Sequence, residues 1–156
     1  MTIQLARYPD RGSFEGDWAK LTAIVYTADI DQPGIYIWRV GAHGEYIGRY
    51  KRRTRPHDEY RKNVLNLLKG LPYRPKNPDG FRKIHRALAH AILLGEECRV
   101  EIYENIDDTK TRTARETELI KKFKPALNKS DPFYNHCNLL VENNRINKRD
   151  VGRNSG

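Results

Sequence analysis

The stretch from Pro33 to Tyr50, PGIYIWRVGAHGEYIGRY, constrains the fold more than any other part of the chain. Ile35, Tyr36, Ile37, Trp38 and Val40 favour extended backbone. Gly41-Ala42-His43-Gly44 supplies a turn, and Glu45-Tyr46-Ile47 resumes a strand. Two β-rich runs joined by a short glycine-containing loop predict a hairpin, and Pro33 suits the start of its first strand. Side chains alternate across a strand. Ile35 and Ile37 therefore oppose Tyr36 and Trp38, and Ile47 opposes Tyr46. One face can pack on helices while the other presents both tyrosines. Each strand carries its tyrosine beside a glycine, as Gly34-Ile35-Tyr36 and Tyr46-Ile47-Gly48.

The rest of the chain arranges helices and one further strand around that hairpin. Arg49 to Arg55, RYKRRTR, places five cationic side chains in seven residues: Arg49, Lys51, Arg52, Arg53 and Arg55. Pro56 then opens a helix, since proline is tolerated in the first turn. Asp58 and Glu59 suit the positive end of the helix dipole. Tyr60, Val64, Leu67 and Leu68 form its buried stripe, and Gly70 is its stop. A loop with three prolines, LPYRPKNPDG over 71–80, leads to a helix from Gly80 to Leu94, capped by Asp79 and ended by Gly95. Cys98 to Tyr103 alternates as a third strand, with Val100 and Ile102 on one face. A last helix runs from Asp107-Asp108-Thr109 to about Phe123, with Ala114, Leu119, Ile120 and Phe123 facing the core; Pro125 closes it. Leu21 to Tyr26 reads as a short strand or a helical turn. Residues 1–20 read as a polar arm with Phe14 and Trp18 as its points of order. Beyond Lys129, Phe133, Tyr134 and Leu139 to Val141 suggest a short docking element, followed by a basic tail from Arg145. The expected fold class is α/β (α+β): a small three-stranded mixed or antiparallel sheet flanked by helices. The expected division is a lead-in over 1–32, a central domain over 33–128 and a basic extension over 129–156.

A chain of 156 residues is the size of one domain. Twenty-nine Lys and Arg against twenty Asp and Glu leave a net charge of +9, a balance suited to phosphates. Contact with an anionic membrane fits less well, because the cations are not gathered on one amphipathic helix. No stretch approaches the ~18 apolar residues of a membrane span, and the N-terminus carries no signal-peptide pattern; the expected location is cytoplasmic, at the nucleoid. Cys98 and Cys137 are the only cysteines, too few and too far apart for a disulfide framework or a metal cluster.

The two tyrosine triplets at hairpin spacing are followed much later by Glu116-Thr-Glu-Leu-Ile-Lys-Lys-Phe-Lys-Pro-Ala-Leu-Asn128. This ordered set resembles the signature of the GIY-YIG nuclease superfamily, over roughly Pro33 to Asn128. The resemblance implies a small mixed sheet flanked by helices and hydrolysis of phosphodiester bonds with one divalent metal, Mg²⁺ or Mn²⁺, held by the glutamate. It implies catalytic roles for Tyr36, Tyr46 and Glu116, a bracing role for Asn128, and an arginine on the helix after the hairpin. Arg61, inside the predicted helix, is the first candidate for that arginine. Arg53 is the second, with His57 one turn later, although Pro56 disfavours a helix through both.

The chemistry is coherent without the resemblance. In-line cleavage needs an activated water, charge stabilisation on the phosphate and help for the leaving oxygen. Glu116 is a hard oxygen ligand for Mg²⁺, an ion that keeps several waters and accepts substrate phosphate oxygens. Its spacing with Leu119, Ile120 and Phe123 puts it at the border of the packed side, whereas Glu118 points elsewhere. Tyr36 can hold the attacking water, or act as its base if a neighbouring cation lowers its pKa, with Tyr46 in support. Arg49, Lys51, Arg52 and Arg55 can contact phosphates, as can His57, Arg74 beside Tyr73, and the basic edge Arg82-Lys83-Ile84-His85-Arg86. The partner is nucleic acid, DNA first, and a homodimer is one way for so small a chain to read bases. The competing readings are a nucleic-acid-binding module without turnover and an adaptor for an acidic protein.

Overall fold

The computed structural model describes residues 11–129. In chain order these form α1 (Arg11–Leu21), β1 (Thr22–Tyr26), β2 (Gly34–Val40), β3 (Gly44–Tyr50), α2 (Asp58–Lys69), α3 (Lys83–Leu94), β4 (Cys98–Asn105) and α4 (Thr109–Phe123), with 3₁₀ turns at Gly41–His43 and Ala126–Asn128. The sheet is mixed, in the order β1-β4-β2-β3. β2 pairs antiparallel with both β3 and β4, and β1 runs parallel to β4, with Thr22 opposite Cys98.

The hairpin expected from the sequence is present, with Trp38 opposite Tyr46 and Tyr36 opposite Gly48. β2 is central and buried on both faces, Arg39 being its one partly exposed residue. Tyr36, Trp38, Val100 and Ile102 face α1, α2 and α3, whose Phe14, Trp18, Tyr60, Val64, Leu67, Ile84, Leu88 and Ile92 complete the main core. Ile35, Ile37 and Ile47 pack instead on Leu119 of α4. The tyrosine face is therefore not the open one: the Tyr36 residue is 1% exposed. Burial of each large side chain contributes about 1.5–3 kcal/mol, so both faces of β2 are strongly fixed in register.

The helices end as their sequences suggest. Gly70 and Gly95 both take left-handed backbone, at φ 73° and 74°, and cap α2 and α3 with their N–H groups. Asp108 caps α4 by accepting from the Thr111 N–H at 2.8 Å. Three elements differ from expectation. α3 starts at Lys83 with Arg82 as its N-cap, rather than at Gly80 under Asp79, because the Arg82 N–H is held by the His85 side chain. The sheet has four strands, because β1 is a short edge strand whose partner lies 76 residues away, a pairing no local pattern reveals. Residues 11–21 are a helix rather than an arm, anchored by Phe14 and Trp18 at 0% and 2% exposure. The predicted C-terminal docking element, Cys137 and the basic tail lie outside the described residues, as do residues 1–10. Among the described residues no helix is long and apolar enough to cross a membrane.

Candidate functional site

Both glycines of the tyrosine triplets are required by close approach. A Cβ on Gly34 would stand 2.0 Å from the Glu104 carbonyl oxygen, where β2 and β4 shift register. A Cβ on Gly48 would stand 2.4 Å from Tyr36 Cζ and 2.5 Å from its hydroxyl. Gly48 thus leaves room for the Tyr36 ring to lie across β3, the edge strand, with its hydroxyl at the margin of the sheet.

A network of phenols and arginine forms there. The Tyr36 and Tyr60 hydroxyls are 2.6 Å apart. Arg82 donates from Nη1 to the Tyr46 hydroxyl at 2.6 Å and from Nη2 to the Tyr60 hydroxyl at 3.2 Å. Its guanidinium also lies 5.4 Å and 5.7 Å from the Tyr46 and Tyr60 ring centres, within cation–π range. Arg82 is the N-cap of α3. Its backbone N–H donates to His85 Nδ1 at 2.9 Å, so the backbone of the arginine is held as firmly as its side chain. Arg55 approaches the same ring system, 5.8 Å from the Tyr60 centre, and pairs with Glu59 at 3.5 Å.

Glu116 comes from the opposite side of the sheet. α4 packs on the isoleucine face, and Glu116 Oε1 accepts from Arg49 Nη1 at 2.7 Å. The two sides meet around the edge of β3, in a cleft of about 290 Å³ lined by Tyr36, Tyr46, Arg49, Arg55, Arg82 and Glu116. Asn128 does not line the cleft. Its side chain accepts from the Ile47 N–H at 2.8 Å and donates to the Ile47 carbonyl at 2.9 Å, satisfying the outer edge of β3 as a neighbouring strand would. Lys83 holds the turn that carries Asn128 through the carbonyls of Ala126 and Lys129.

Burial governs the phenols. Loss of solvation, then the nearby Tyr46, push Tyr36 up to about 12, and the opposing pull of Arg55, the Tyr60 hydrogen bond and Arg82 does not reverse it. Tyr60 is raised well above its ordinary value, again by burial first and by Tyr36 and Tyr46 after it. The expectation that a neighbouring cation lowers the Tyr36 pKa is corrected: desolvation outweighs the cations. The phenol is suited to holding a water by hydrogen bond rather than to taking its proton unaided.

Several predicted site residues lie elsewhere. Arg61, the favoured arginine, reaches back to Glu15 at 3.4 Å, and Arg53 pairs with Asp31 at 2.7 Å on the open surface. Neither lines the cleft; Arg55 and Arg82 do. His85, expected on a phosphate-facing edge, is fully buried. Burial, followed by Arg82, Arg55, Arg74 and Arg86, pushes it down to about 2. It is a neutral acceptor for the Arg82 backbone. His57 is also structural: it stacks on Trp38 at 6.0 Å, and its Nε2 lies 2.9 Å from the Thr22 hydroxyl. That hydroxyl already donates to the Trp18 carbonyl, so it accepts from His57. Lys51 and Arg52 are exposed. Arg74 lies 4.2 Å over the Tyr73 ring and donates to Asn63 at 3.2 Å. Tyr60 is the site residue that sequence reasoning missed. Its apolar periodicity assigned it to the core, which is correct for the ring but silent about the hydroxyl.

Among the described residues no group of three His, Cys, Asp or Glu side chains could hold a metal. The cleft offers one carboxylate, Glu116. That donor set does not fit a soft or tetrahedral metal. It fits a hard, hydrated Mg²⁺ or Mn²⁺ bound through one carboxylate and completed by water and phosphate oxygens. No family model, no curated protein and no solved structure matches the chain.

Proposed function

We propose that this protein is a divalent-metal-dependent endonuclease that hydrolyses phosphodiester bonds in DNA, and a member of the GIY-YIG nuclease superfamily. The observation that carries the reading is the convergence of two triplet tyrosines, three arginines and Glu116 on one small cleft. Those groups come from five separate segments: β2, β3, the segment before α2, the start of α3, and α4. The +9 net charge suits a polyanionic partner, and a cytoplasmic location at the nucleoid is the one this reading assumes.

Each group has a task in this reading. Glu116 holds Mg²⁺ or Mn²⁺, and the ion when bound supplies Lewis-acid stabilisation of phosphate charge. Tyr36, fixed by Tyr60, orients the attacking water on the phosphorus. Arg82 and Arg55 offset the charge that develops on the phosphate oxygens as the water–phosphorus bond forms and the bond to the leaving oxygen breaks. Tyr46, hydrogen-bonded to Arg82, aims that guanidinium. Asn128 keeps β3 in place. Lys51, Arg52 and Arg74 extend the cationic surface for backbone contacts, which position the duplex without reading its sequence.

Plasmid nicking with Mg²⁺ or Mn²⁺ tests the proposal. Glu116→Ala is expected to reduce cleavage at least about 100-fold, which is ~3 kcal/mol of transition-state stabilisation, while melting temperature and DNA affinity stay close to wild type. Cleavage by that variant at the normal rate sinks the assignment. One observation favours a second reading, a nucleic-acid-binding module without turnover: Arg49 already neutralises Glu116 in the structure. Product that appears with Mn²⁺ and vanishes with chelator excludes that alternative.

A further inference from the structure

Arg49 differs from the other cations of the cleft. Arg82 is committed to two phenolic oxygens, and Arg55 to Glu59 and the Tyr60 ring. The partner of Arg49 is Glu116, with Nη1 at 2.7 Å from Oε1. The Arg49 side chain is 47% exposed, whereas that of Glu116 is 17% exposed. The carboxylate is thus sheltered and its partner is free to leave.

That geometry has two consequences. A guanidinium on Oε1 occupies one of the two oxygens a cation would use, and its charge repels a dication approaching the same group. Such an open pair is also weak, shifting an equilibrium by only about 1.4- to 5-fold. It can block Glu116 without locking it.

Building on the metal-dependent reading above, we infer that Arg49 serves two partners in turn: Glu116 when no cation is bound, and a phosphate oxygen of the nucleic acid when one is. A cation arriving at Glu116 displaces the guanidinium into the cleft mouth, where it gains a charge-assisted bond to phosphate. A phosphate arriving first draws Arg49 away and uncovers the carboxylate. Cation and nucleic acid then tighten each other by the same factor, as linkage requires. The pair thereby keeps the metal-free cleft close to neutral at Glu116 and directs metal loading to the nucleic-acid-bound protein.

Mn²⁺ binding to the free protein, followed by loss of the free-ion electron paramagnetic resonance signal, tests this apart from activity. Arg49→Ala is expected to bind Mn²⁺ up to about 5-fold more tightly than wild type, and Glu116→Gln to lose the site. The gain in affinity for a fluorescent duplex on adding Ca²⁺ in place of chelator is expected to be smaller in Arg49→Ala than in wild type. Unchanged or weaker Mn²⁺ binding by Arg49→Ala, or an undiminished Ca²⁺ gain, overturns the inference. Plasmid cleavage separates it from the reading beneath it. A Glu116→Gln variant that still cleaves removes the endonuclease and the inference together. An inactive Glu116→Gln beside an Arg49→Ala with wild-type Mn²⁺ affinity removes the role of Arg49 alone.

Discussion

The run from Arg49 to Arg55 and the first turn of α3 both bring arginine to the cleft, by opposite means. The run is dense, yet its five cations scatter: Arg49 goes to Glu116, Arg53 to Asp31, Arg55 into the cleft, and Lys51 and Arg52 to solvent. The start of α3 delivers one guanidinium, Arg82, with its backbone held by buried His85 and its side chain by two phenols. Local density of charge makes a field around the molecule. Placement of a charge needs a fixed backbone and partners that satisfy the side chain.

Removing one arginine from each group tests this contrast. Arg82→Ala strips a charged donor from two largely buried phenols, at a cost of about 2–3 kcal/mol, and cleavage is expected to fall by about 10²–10³-fold. Arg53→Ala removes an exposed pair worth about 0–1 kcal/mol and should leave cleavage within about 2-fold. Urea unfolding and plasmid nicking on both variants decide it, and equal losses would erase the distinction.

A second variant probes the room that lets Tyr36 reach the arginines. The added methyl of Gly48→Ala meets the rigid phenol ring at 2.4 Å, and overpacking of this kind costs about 1–3 kcal/mol. Thermal melting reads the loss, and cleavage should fall further than stability accounts for as the Tyr36 hydroxyl is displaced.

The support beneath Arg82 gives a pH prediction. His85 stays neutral in the folded protein down to about 2, whereas the unfolded chain binds a proton near 6.5. Its contribution is therefore fully present above pH 6.5 and is lost as pH falls from there towards 2. Between pH 7 and 5 the loss is about 2 kcal/mol, and His57, His43 and His90, all lowered first by burial, act in the same direction. In urea titrations at the two pH values, His85→Gln should show a smaller drop than wild type. An undiminished drop would mean that His85 is not the buried neutral support described above.

The smallest effect belongs to the dense run. Arg52→Ala should change stability by less than about 0.5 kcal/mol and reduce the slope of log DNA affinity against log salt by about 1. Fluorescence anisotropy across a salt series measures it; an unchanged slope would show that Arg52 contributes field rather than contact.

Some of the cleft was legible in the chain and some was not, for reasons that vary by residue. Tyr36 and Tyr46 stand out because strand alternation puts them on one face, and the glycines mark close approach. Glu116 falls at the border of the apolar stripe of α4, so helical periodicity brings it to the sheet. Arg61 lies in a regular helix, as expected, but on the side that meets Glu15 of α1, itself read as an arm, and so outside the cleft. His85 resembled one more member of a basic edge, yet it turns inward under its own helix start. Tyr60 hid among core residues because periodicity reports where a ring goes and not what its hydroxyl meets.

The hairpin, the stripe of α2 and the glycine stops of α2 and α3 follow from the chain alone, because they depend on interactions over a few residues with periods of 2 and 3.6; in α4 only Leu119 of the expected stripe is buried, while Ala114 and Phe123 are exposed. Tertiary structure alone decided the fourth strand, the helical N-terminal segment and the identity of the cleft arginines. The strand and Arg82 depend on partners distant in the chain, 36 residues for Arg82 on Tyr46 and 76 for β1 on β4. A long side chain can serve either side of its backbone, and only the packed neighbours select which.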